Sequence, residues 1–298
     1  MSWKRRLVSA ALQLVALSLI AFALTAIIPG DVLSDTRLDP RTSSASIEAW
    51  RQQLHLSEPW WKRYASWSGR VIRCDFGSSL ASGIPVAKLL GPRLMRTLEI
   101  VLPAWGMSWL LGLVLAVAGV RWGGWKWLER AAAILQLLPE AILASLLTWA
   151  LIVRFGVDPE SIVLPLMPVT LALAPAVFLH SAAALDGALQ SRFVKLAQVA
   201  RVNPVTLWTR YLAPAAANPL LNLVGPSFAA AFGSALVVEA ITGWPGMGSL
   251  FADAFRSRDY PVTQAVLLLL GAALIVLNLF SDLALFRLDP RIRTGEDE

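Results

Sequence analysis

Long apolar runs constrain this chain more than any other feature of its sequence. A helix needs about 20 consecutive apolar residues to cross the ~30 Å hydrocarbon core of a bilayer. Only helices and closed barrels satisfy their backbone hydrogen bonds in that environment. The six long runs therefore predict an all-α, polytopic membrane protein with six transmembrane helices. The runs cover residues 7–28, 98–120, 128–153, 162–184, 215–241 and 262–286.

The composition agrees with this class and excludes several others. The chain is 56% hydrophobic and 15% charged, whereas soluble domains carry about 25% charged residues. Its single cysteine, Cys74, rules out an intrachain disulfide, and its two histidines offer little for a metal site. No Gly-Lys dipeptide occurs, so the chain lacks a Walker A phosphate loop. We therefore expect a non-enzymatic subunit with no metal or cofactor of its own, and any ATP is expected on partner subunits.

The placement of the positive charges predicts the orientation in the membrane. Cytoplasmic loops collect lysine and arginine, so the net charge of +6 is interpreted by position and not as a nucleic-acid signal. Basic residues are concentrated at the N-terminus, at residues 121–130 and 191–211, and in the C-terminal tail. The loops at 154–161 and 242–261 hold only Arg154, Arg256 and Arg258. Both termini are therefore expected in the cytoplasm, with no nucleic-acid partner.

The runs divide the chain into three regions. Residues 1–31 are predicted to form an N-terminal transmembrane helix, because the apolar run is longer than the core of a signal peptide. Residues 32–96 are polar and are predicted to form an extracytoplasmic segment with short surface helices, one of them at residues 46–56. The tryptophans of this segment could rest on the lipid surface. Residues 97–298 are predicted to form a five-helix core.

A polar stretch at residues 190–212, here called the basic segment, interrupts this core. Phe193, Leu196, Ala197 and Ala200 recur at the spacing of one helix face. Asn203 before Pro204 predicts the N-cap and first position of a second short helix. The pattern alone leaves open a membrane-surface helix that merely joins two spans. The predicted topology places the segment on the cytoplasmic face as an exposed pair of helices.

Polar residues within the spans form no catalytic constellation. Glu140 lies beside Pro139 in an apolar run, and carboxylates inside membranes are functional candidates. His180 stands alone in the fourth run, where a hydrogen bond to a neighbouring helix is expected rather than a proton relay. An intramembrane hydrolase is therefore not predicted.

Short motifs follow one another in a fixed order along the chain. They are Pro29-Gly30-Asp31, Leu54-His55-Leu56 with Pro59 and Tyr64, Asp75-Phe76-Gly77-Ser78-Ser79 with Pro85-Val86 and Thr97-Leu98, and the stretches EAITGWPGMG, RDYPV, NLFSDL and LDPRIR between Glu239 and Arg293. Their order resembles the inner-membrane permease subunits of ABC importers, in the B-type of the dipeptide, oligopeptide and nickel class. The resemblance implies a type I ABC importer permease fold that couples ATPase motion to translocation of peptides, nickel or a related small solute.

The resemblance also implies that the basic segment is the family's ATPase-coupling segment. The residues implied in that contact are Arg192, Phe193, Lys195, Leu196, Ala197, Ala200, Arg201 and Asn203. Phe193 and Leu196 are expected to enter a groove on the ATPase, with cations at its rim. Arg201 stands where the family usually has a turn glycine. It would adopt a positive φ at some cost, unless Asn203-Pro204 moves the break two residues along.

A second implied site is an outer-mouth loop, which would receive an extracytoplasmic substrate-binding protein together with residues 32–96. Its residues are Gly243, Trp244, Pro245, Gly246, Gly248, Arg258, Asp259 and Tyr260. The other implied partners are a second, homologous permease subunit, two cytoplasmic ATPase subunits and membrane lipid. The implied location is the bacterial inner membrane. The substrate-binding residues are not identified.

Two other functions stay open at the level of sequence. A self-contained ion-coupled secondary transporter or channel would use Glu140, His180 or Glu239 as an ion path, although the halves of the chain show no internal repeat. A scaffold without transport activity would instead form complexes that lack any ATPase.

Overall fold

The computed structural model describes residues 3–27, 59–122 and 125–288. All regular elements in these ranges are helices, apart from one antiparallel bridge between Ser78 and Pro85. The all-α prediction is therefore confirmed for the described part of the chain. The predicted helix at residues 46–56 and the motifs at residues 29–31, 54–56 and 289–293 lie outside the described residues.

The helices are numbered here in chain order through the described residues. They are α1 (Trp3–Ile27), α2 (Trp60–Ile72), α3 (Val86–Trp122), α4 (Trp125–Gln136), α5 (Glu140–Phe155), α6 (Val163–Gln190), α7 (Arg192–Val199), α8 (Pro204–Thr206), a π-helical turn (Leu207–Leu212), α9 (Ala213–Thr242), α10 (Met247–Arg256) and α11 (Tyr260–Leu288). Five of these are long and apolar enough to cross a membrane, and the pair α4 and α5 adds a sixth crossing if it is counted as one span. The five overlap five of the predicted runs: α1, α3, α6, α9 and α11.

The third predicted run does not form one straight helix. Its two parts, α4 and α5, are bent by 99°, so the prediction of a continuous helix over residues 128–153 is wrong. Pro139 explains the break, because it lacks an N–H and disfavours the helical conformation of the residue before it. Its carbonyl instead accepts from the N–H groups of Ile142 and Leu143. Glu140 becomes the first residue of α5, where the helix dipole favours a carboxylate.

Two other boundaries differ from those predicted. Helix α3 begins at Val86 rather than at residue 98. The prediction began too late because the first turns of this helix are charged and look extramembrane in the sequence. Helix α10 occupies part of the predicted loop at residues 243–261. Its buried residues Met247, Leu250 and Ala254 follow a helical spacing. That spacing is visible in the sequence, but a helix of ten residues is too short to be recognised as a transmembrane span.

The described residues form two compact units, one from residues 93–249 and 276–288, the other from residues 3–27, 59–92 and 250–275. In the first unit, hydrogen bonds join α3 to its neighbours. Trp105 and Trp109 both donate from Nε1 to Ser227 Oγ of α9 at 3.0 Å. Ser108 Oγ donates to the carbonyl of Thr170 in α6 at 3.0 Å. Such bonds between spans contribute about 0.6 kcal/mol each on average.

In the second unit, α1 packs on both α2 and α11. Gly271 of α11 lies so close to Leu17 that a larger residue there would displace the leucine side chain. Phe22 meets the ring of Tyr64 edge-on at 5.5 Å and lies 5.7 Å from the ring of Trp67. The hydroxyls of Ser18 and Tyr64 are 2.8 Å apart. These contacts fix α2 against the C-terminal half of α1.

We predict that Gly112→Ala destabilises the protein. A Cβ at Gly112 would lie 2.8 Å from Val177 Cγ1 and 2.9 Å from the backbone nitrogen of Phe178, so α3 and α6 would have to separate. Gly106→Ala on the same helix is the control, because a Cβ there meets open space and alanine favours a helix by about 0.5–1 kcal/mol. Thermal unfolding in detergent should show a lower midpoint for Gly112→Ala only. Equal midpoints for the two variants would contradict this packing.

Candidate functional site

The basic segment begins with a sharp change of direction at Ser191. This residue has an extended backbone, with φ −64° and ψ 144°, between the end of α6 and the start of α7. Its hydroxyl donates to the carbonyl of Ala188 at 2.6 Å, and its own carbonyl accepts from Lys195 N at 3.1 Å. One residue therefore closes α6 and opens α7.

Helix α7 ends at Val199, and Arg201, the residue after its C-cap Ala200, adopts the left-handed conformation with φ +50°. Val202 N donates to the Ala197 carbonyl at 3.2 Å, and Arg201 N donates to the Gln198 carbonyl at 3.1 Å. This pair of bonds is a Schellman motif, in which the left-handed residue is usually glycine. The turn therefore stays at Arg201 and does not move to Asn203. Arg201 therefore adopts the strained, positive-φ conformation that the resemblance implies for the position where the family usually has glycine.

Asn203 caps the next helix as predicted. Its side-chain oxygen accepts from Val205 N at 2.9 Å, and Pro204 occupies the first helical position. The helical backbone then continues without interruption through α8 and the π-helical turn into α9. The second half of the basic segment is therefore a direct extension of a long membrane helix.

The apolar residues of α7 point in two directions. Val194 is fully buried and Ala197 nearly so, and Val194 packs in a core cluster with Leu185, Ala188 and Leu212. Phe193, Leu196 and Val199 are instead 50%, 69% and 82% exposed. The single apolar stripe inferred from the sequence therefore divides into an inner and an outer face. In the sequence, the three-residue spacing of Val194 and Ala197 indicates that they share this inner face.

The outer face of the segment is also basic. Arg192, Lys195 and Arg201 are exposed, as are Ala200 and Asn203. No acidic residue occurs between residues 191 and 212. The eight residues predicted for this site thus all lie on the surface except Ala197. Val199 and Val205 are also exposed, by 82% and 70%, and were not predicted.

A cavity of about 620 Å³ lies beside this surface. Phe193, His180, Arg210 and Tyr211 are among its lining residues. Nδ1 of His180 is 2.8 Å from the carbonyl of Ala176, four residues earlier in the same helix. The sequence prediction of a bond between helices is therefore wrong: the imidazole bonds to its own helix and remains exposed.

The loop after α9 is held by side chains from two helices. Gly243 ends α9 in a left-handed conformation with φ +75°. The Trp244 indole nitrogen donates to the carbonyl of Arg96 at 3.1 Å, and the Arg96 guanidinium lies 5.9 Å from the centre of the Trp244 ring. These contacts bind the loop to the start of α3 within the first unit.

Glu239 provides the central contact of this loop. Its side chain is fully buried, and Oε2 accepts from Gly248 N at 2.7 Å. Thr97 Oγ1 accepts from Met247 N at 2.9 Å, so residues of α9 and α3 together cap the first amides of α10. Among the described residues, Oε1 of Glu239 has no hydrogen-bond partner. The sequence placed Glu239 at the start of the EAITGWPGMG motif and in a possible ion path, but it did not predict its contact with Gly248.

Glycine is required at two positions of this loop. A Cβ at Gly246 would overlap the Glu239 carboxylate, and a Cβ at Gly248 would overlap the backbone carbonyl of Leu236. The side chain of Glu239 therefore fills the space that Gly246 leaves. Two of the glycines predicted for the outer-mouth loop have this steric explanation.

The other predicted loop residues, Arg258, Asp259 and Tyr260, belong to the second unit. The Asp259 side chain is buried and accepts from Ser79 Oγ at 2.5 Å, from Leu80 N at 3.1 Å and from Ala81 N at 3.3 Å. Two sequence motifs that are far apart in the chain, DFGSS and RDYPV, therefore meet at one carboxylate. Nothing in the spacing of the sequence could have predicted this contact.

The fold and these sites define a multi-pass helical membrane component with an exposed basic segment. Residues 108–294 match the family of the binding-protein-dependent transport system inner membrane component. Because the match covers more than half of the chain, the chain belongs to this family. It is a permease subunit of an ABC importer of the peptide and oligopeptide class.

Curated relatives align over nearly the full length. A probable peptide ABC transporter permease protein of Sinorhizobium fredii is 28% identical, covering 97% of this chain and 98% of the relative. A glutathione transport system permease protein of Escherichia coli is 26% identical, covering 97% of each chain. A putative peptide permease protein of Brucella suis is 26% identical, covering 94% of this chain and 95% of the relative. The assignment supports a transport subunit over a self-contained transporter or channel.

We predict that Arg201→Val destabilises the turn whereas Arg201→Asn and Arg201→Gly do not. A β-branched residue at positive φ is strongly disfavoured, while asparagine and glycine tolerate this conformation. The cost of such strain is about 1–3 kcal/mol. Valine and asparagine both remove the charge, so their difference in thermal unfolding midpoint isolates the backbone effect. Equal midpoints would show that Arg201 does not have a positive φ.

We predict that Gly246→Ala disrupts the loop by displacing the Glu239 carboxylate from Gly248 N. The loss of a partner for a buried polar group costs about 1–3 kcal/mol. Gly233→Ala on α9 is the control, because a Cβ there has no neighbour within contact distance. Limited proteolysis within residues 243–256 should become faster for Gly246→Ala alone. Unchanged cleavage would mean that the carboxylate does not occupy this space.

Proposed function

We propose that the basic segment is the surface through which this permease receives the motion of a cytoplasmic ATPase. The observation that carries the proposal is the exposed apolar face of Phe193, Leu196 and Val199 on a helix surrounded by cations. Exposed apolar surface in a contiguous patch is typical of a protein interaction site. A short helix in a groove is a common form of such contacts.

The attachment of α7 supports a mechanical role. Val194 holds the helix on the core cluster and Ala197 is also buried, so α7 is expected to move with the body of the first unit. The asparagine cap at Asn203 and the unbroken path into α9 connect the segment directly to a membrane span. A force applied to the outer face of α7 would therefore be transmitted to α6 and α9 rather than absorbed by a flexible loop.

The proposed assembly contains this permease, a second homologous permease, two cytoplasmic ATPase subunits and an extracytoplasmic substrate-binding protein. ATP is bound by the ATPase subunits in this proposal, and the permease carries no cofactor. The distribution of lysine and arginine supports cytoplasmic termini. The loop at residues 243–248 and the residues around Asp259 are the proposed contacts for the substrate-binding protein.

We further propose a peptide-type substrate. The relatives described above are named for peptides and for glutathione, which is itself a tripeptide. Nickel, which the family resemblance also allows, is not named in any of these three. Uptake measurements with the assembled transporter and labelled di-, tri- and oligopeptides, with Ni²⁺ as a competitor, would distinguish these substrates.

The coupling proposal predicts that Phe193→Asp abolishes substrate-stimulated ATP hydrolysis by the assembled transporter. A buried carboxylate in an apolar groove would lose its hydration, so ATPase binding should weaken by at least roughly tenfold. Membrane insertion should be unchanged, because the Phe193 side chain is half exposed. Co-purification of the ATPase subunits with the permease measures the contact directly.

Phe255→Asp is the matched control for this experiment, because Phe255 is 56% exposed on α10 and lies outside the basic segment. This variant should retain the ATPase subunits at the level of the unmodified protein. Normal ATPase retention and coupled hydrolysis in Phe193→Asp would show that the basic segment does not bind the ATPase.

A further inference from the structure

Helix α2 has two chemically distinct surfaces. Trp60, Trp61 and Ile72 lie on an apolar side and are exposed by 60%, 57% and 83%. Lys62, Arg70 and Arg73 are also exposed and project from the opposite side by helical spacing. A helix with an apolar side rich in tryptophan and a basic polar side is typical of one that lies in a membrane interface.

Helix α2 is packed against a membrane span. Tyr64 and Trp67 contact Phe22, which lies in the C-terminal half of α1. The Ser18 and Tyr64 hydroxyls are 2.8 Å apart, in the same half of this helix. Helix α2 is therefore held beside the C-terminal half of α1.

The exposed apolar residues of α2 suit a lipid interface. Tryptophan is enriched at membrane interfaces because its ring is apolar and its N–H is polar. Trp60 and Trp61 meet edge-on with ring centres 6.1 Å apart, so together they form one broad aromatic surface. Burial of these rings and of Ile72 in the boundary between headgroups and acyl chains removes apolar area from water.

The charges on α2 select for anionic lipid. No acidic residue occurs between residues 59 and 74, and in the described part of the chain none of Lys62, Arg70 and Arg73 forms an ion pair with a carboxylate. The next carboxylate, Asp75, instead accepts from Gly77 N at 3.0 Å. The three cations are therefore available to lipid phosphates, and each is expected to increase binding to an anionic surface about fivefold.

We propose that α2 lies in the membrane interface and binds anionic phospholipids. Trp60, Trp61 and Ile72 enter the boundary between headgroups and acyl chains, and Lys62, Arg70 and Arg73 contact the lipid phosphates. The occupant is the leaflet at the C-terminal end of α1, because α2 is attached to that span. This inference is independent of the ATPase contact and of the membrane orientation.

The single cysteine of the chain provides a site for a fluorescent label that tests this proposal. Cys74 is exposed and lies two residues after the end of α2, so a fluorophore attached to its sulfur reports on the position of the helix. The labelled full-length chain is placed in phosphatidylcholine nanodiscs with increasing fractions of brominated phosphatidylglycerol. Bromine quenches the fluorophore on contact. Quenching should reach half its maximum at a low fraction of the anionic lipid, and brominated phosphatidylcholine should require a much higher fraction.

Two triple variants test the role of the charges. Lys62→Gln with Arg70→Gln and Arg73→Gln should need an at least roughly tenfold higher fraction of phosphatidylglycerol for half-quenching. Lys62→Arg with Arg70→Lys and Arg73→Lys keeps the charges and should behave as the unmodified chain. Lys126→Gln with Arg130→Gln and Arg154→Gln removes three exposed cations elsewhere and controls for net charge. An equal effect of both glutamine triples would overturn the proposal.

The apolar side is tested separately. Trp60→Ser with Trp61→Ser should make the Cys74 label more accessible to a water-soluble quencher and less accessible to brominated lipid. Trp127→Ser, a substitution of another exposed tryptophan, should change neither. Efficient quenching from water in the unmodified chain, with none by brominated lipid, would show that α2 faces solution or another protein, and the proposal would be wrong.

Discussion

The first amides and last carbonyls of a helix have no partner within that helix. The structure depends on how these groups are satisfied. Side chains of Glu239 and Thr97 cap α10, Asn203 caps α8, and the carbonyls at the end of α7 are closed by the turn at Arg201. Each of these ends lies in one of the candidate functional segments. The positions that the family resemblance singled out are thus largely positions where helices begin and end.

The sequence predicted the helices better than their ends. Apolar runs located five spans because burial in lipid leaves a long, uniform signal. The break at Pro139 was missed because both parts of the run are apolar, so hydropathy alone does not show the 99° bend. The Asn203 cap and the strained position of Arg201 were predictable, because both depend on neighbours in sequence. Contacts such as Asp259 with Ser79 depend on tertiary folding and leave no local pattern.

Two basic amphipathic helices in this chain show why periodicity alone does not assign a partner. Helices α7 and α2 both combine exposed apolar residues with unbalanced positive charge. They differ in their attachment: α7 is continuous with the core through Ser191 and Arg201, whereas α2 packs by aromatic rings on the C-terminal half of α1. A protein groove suits the isolated apolar face of α7, which carries one aromatic ring. A lipid interface suits α2, with its adjacent tryptophans.

Helix α9 links the two candidate sites of the first unit through one backbone. Its 30 residues span about 45 Å at 1.5 Å per residue, from the end of the basic segment to Gly243. Pro219 and Pro226 lie within it and remove two backbone donors, so bending is easiest there. The bond from Gly248 N to Glu239 is 2.7 Å long, and a shift of about 1 Å would break it. A displacement of α9 that reaches Glu239 would therefore change the stability of the loop, and by linkage the reverse also holds.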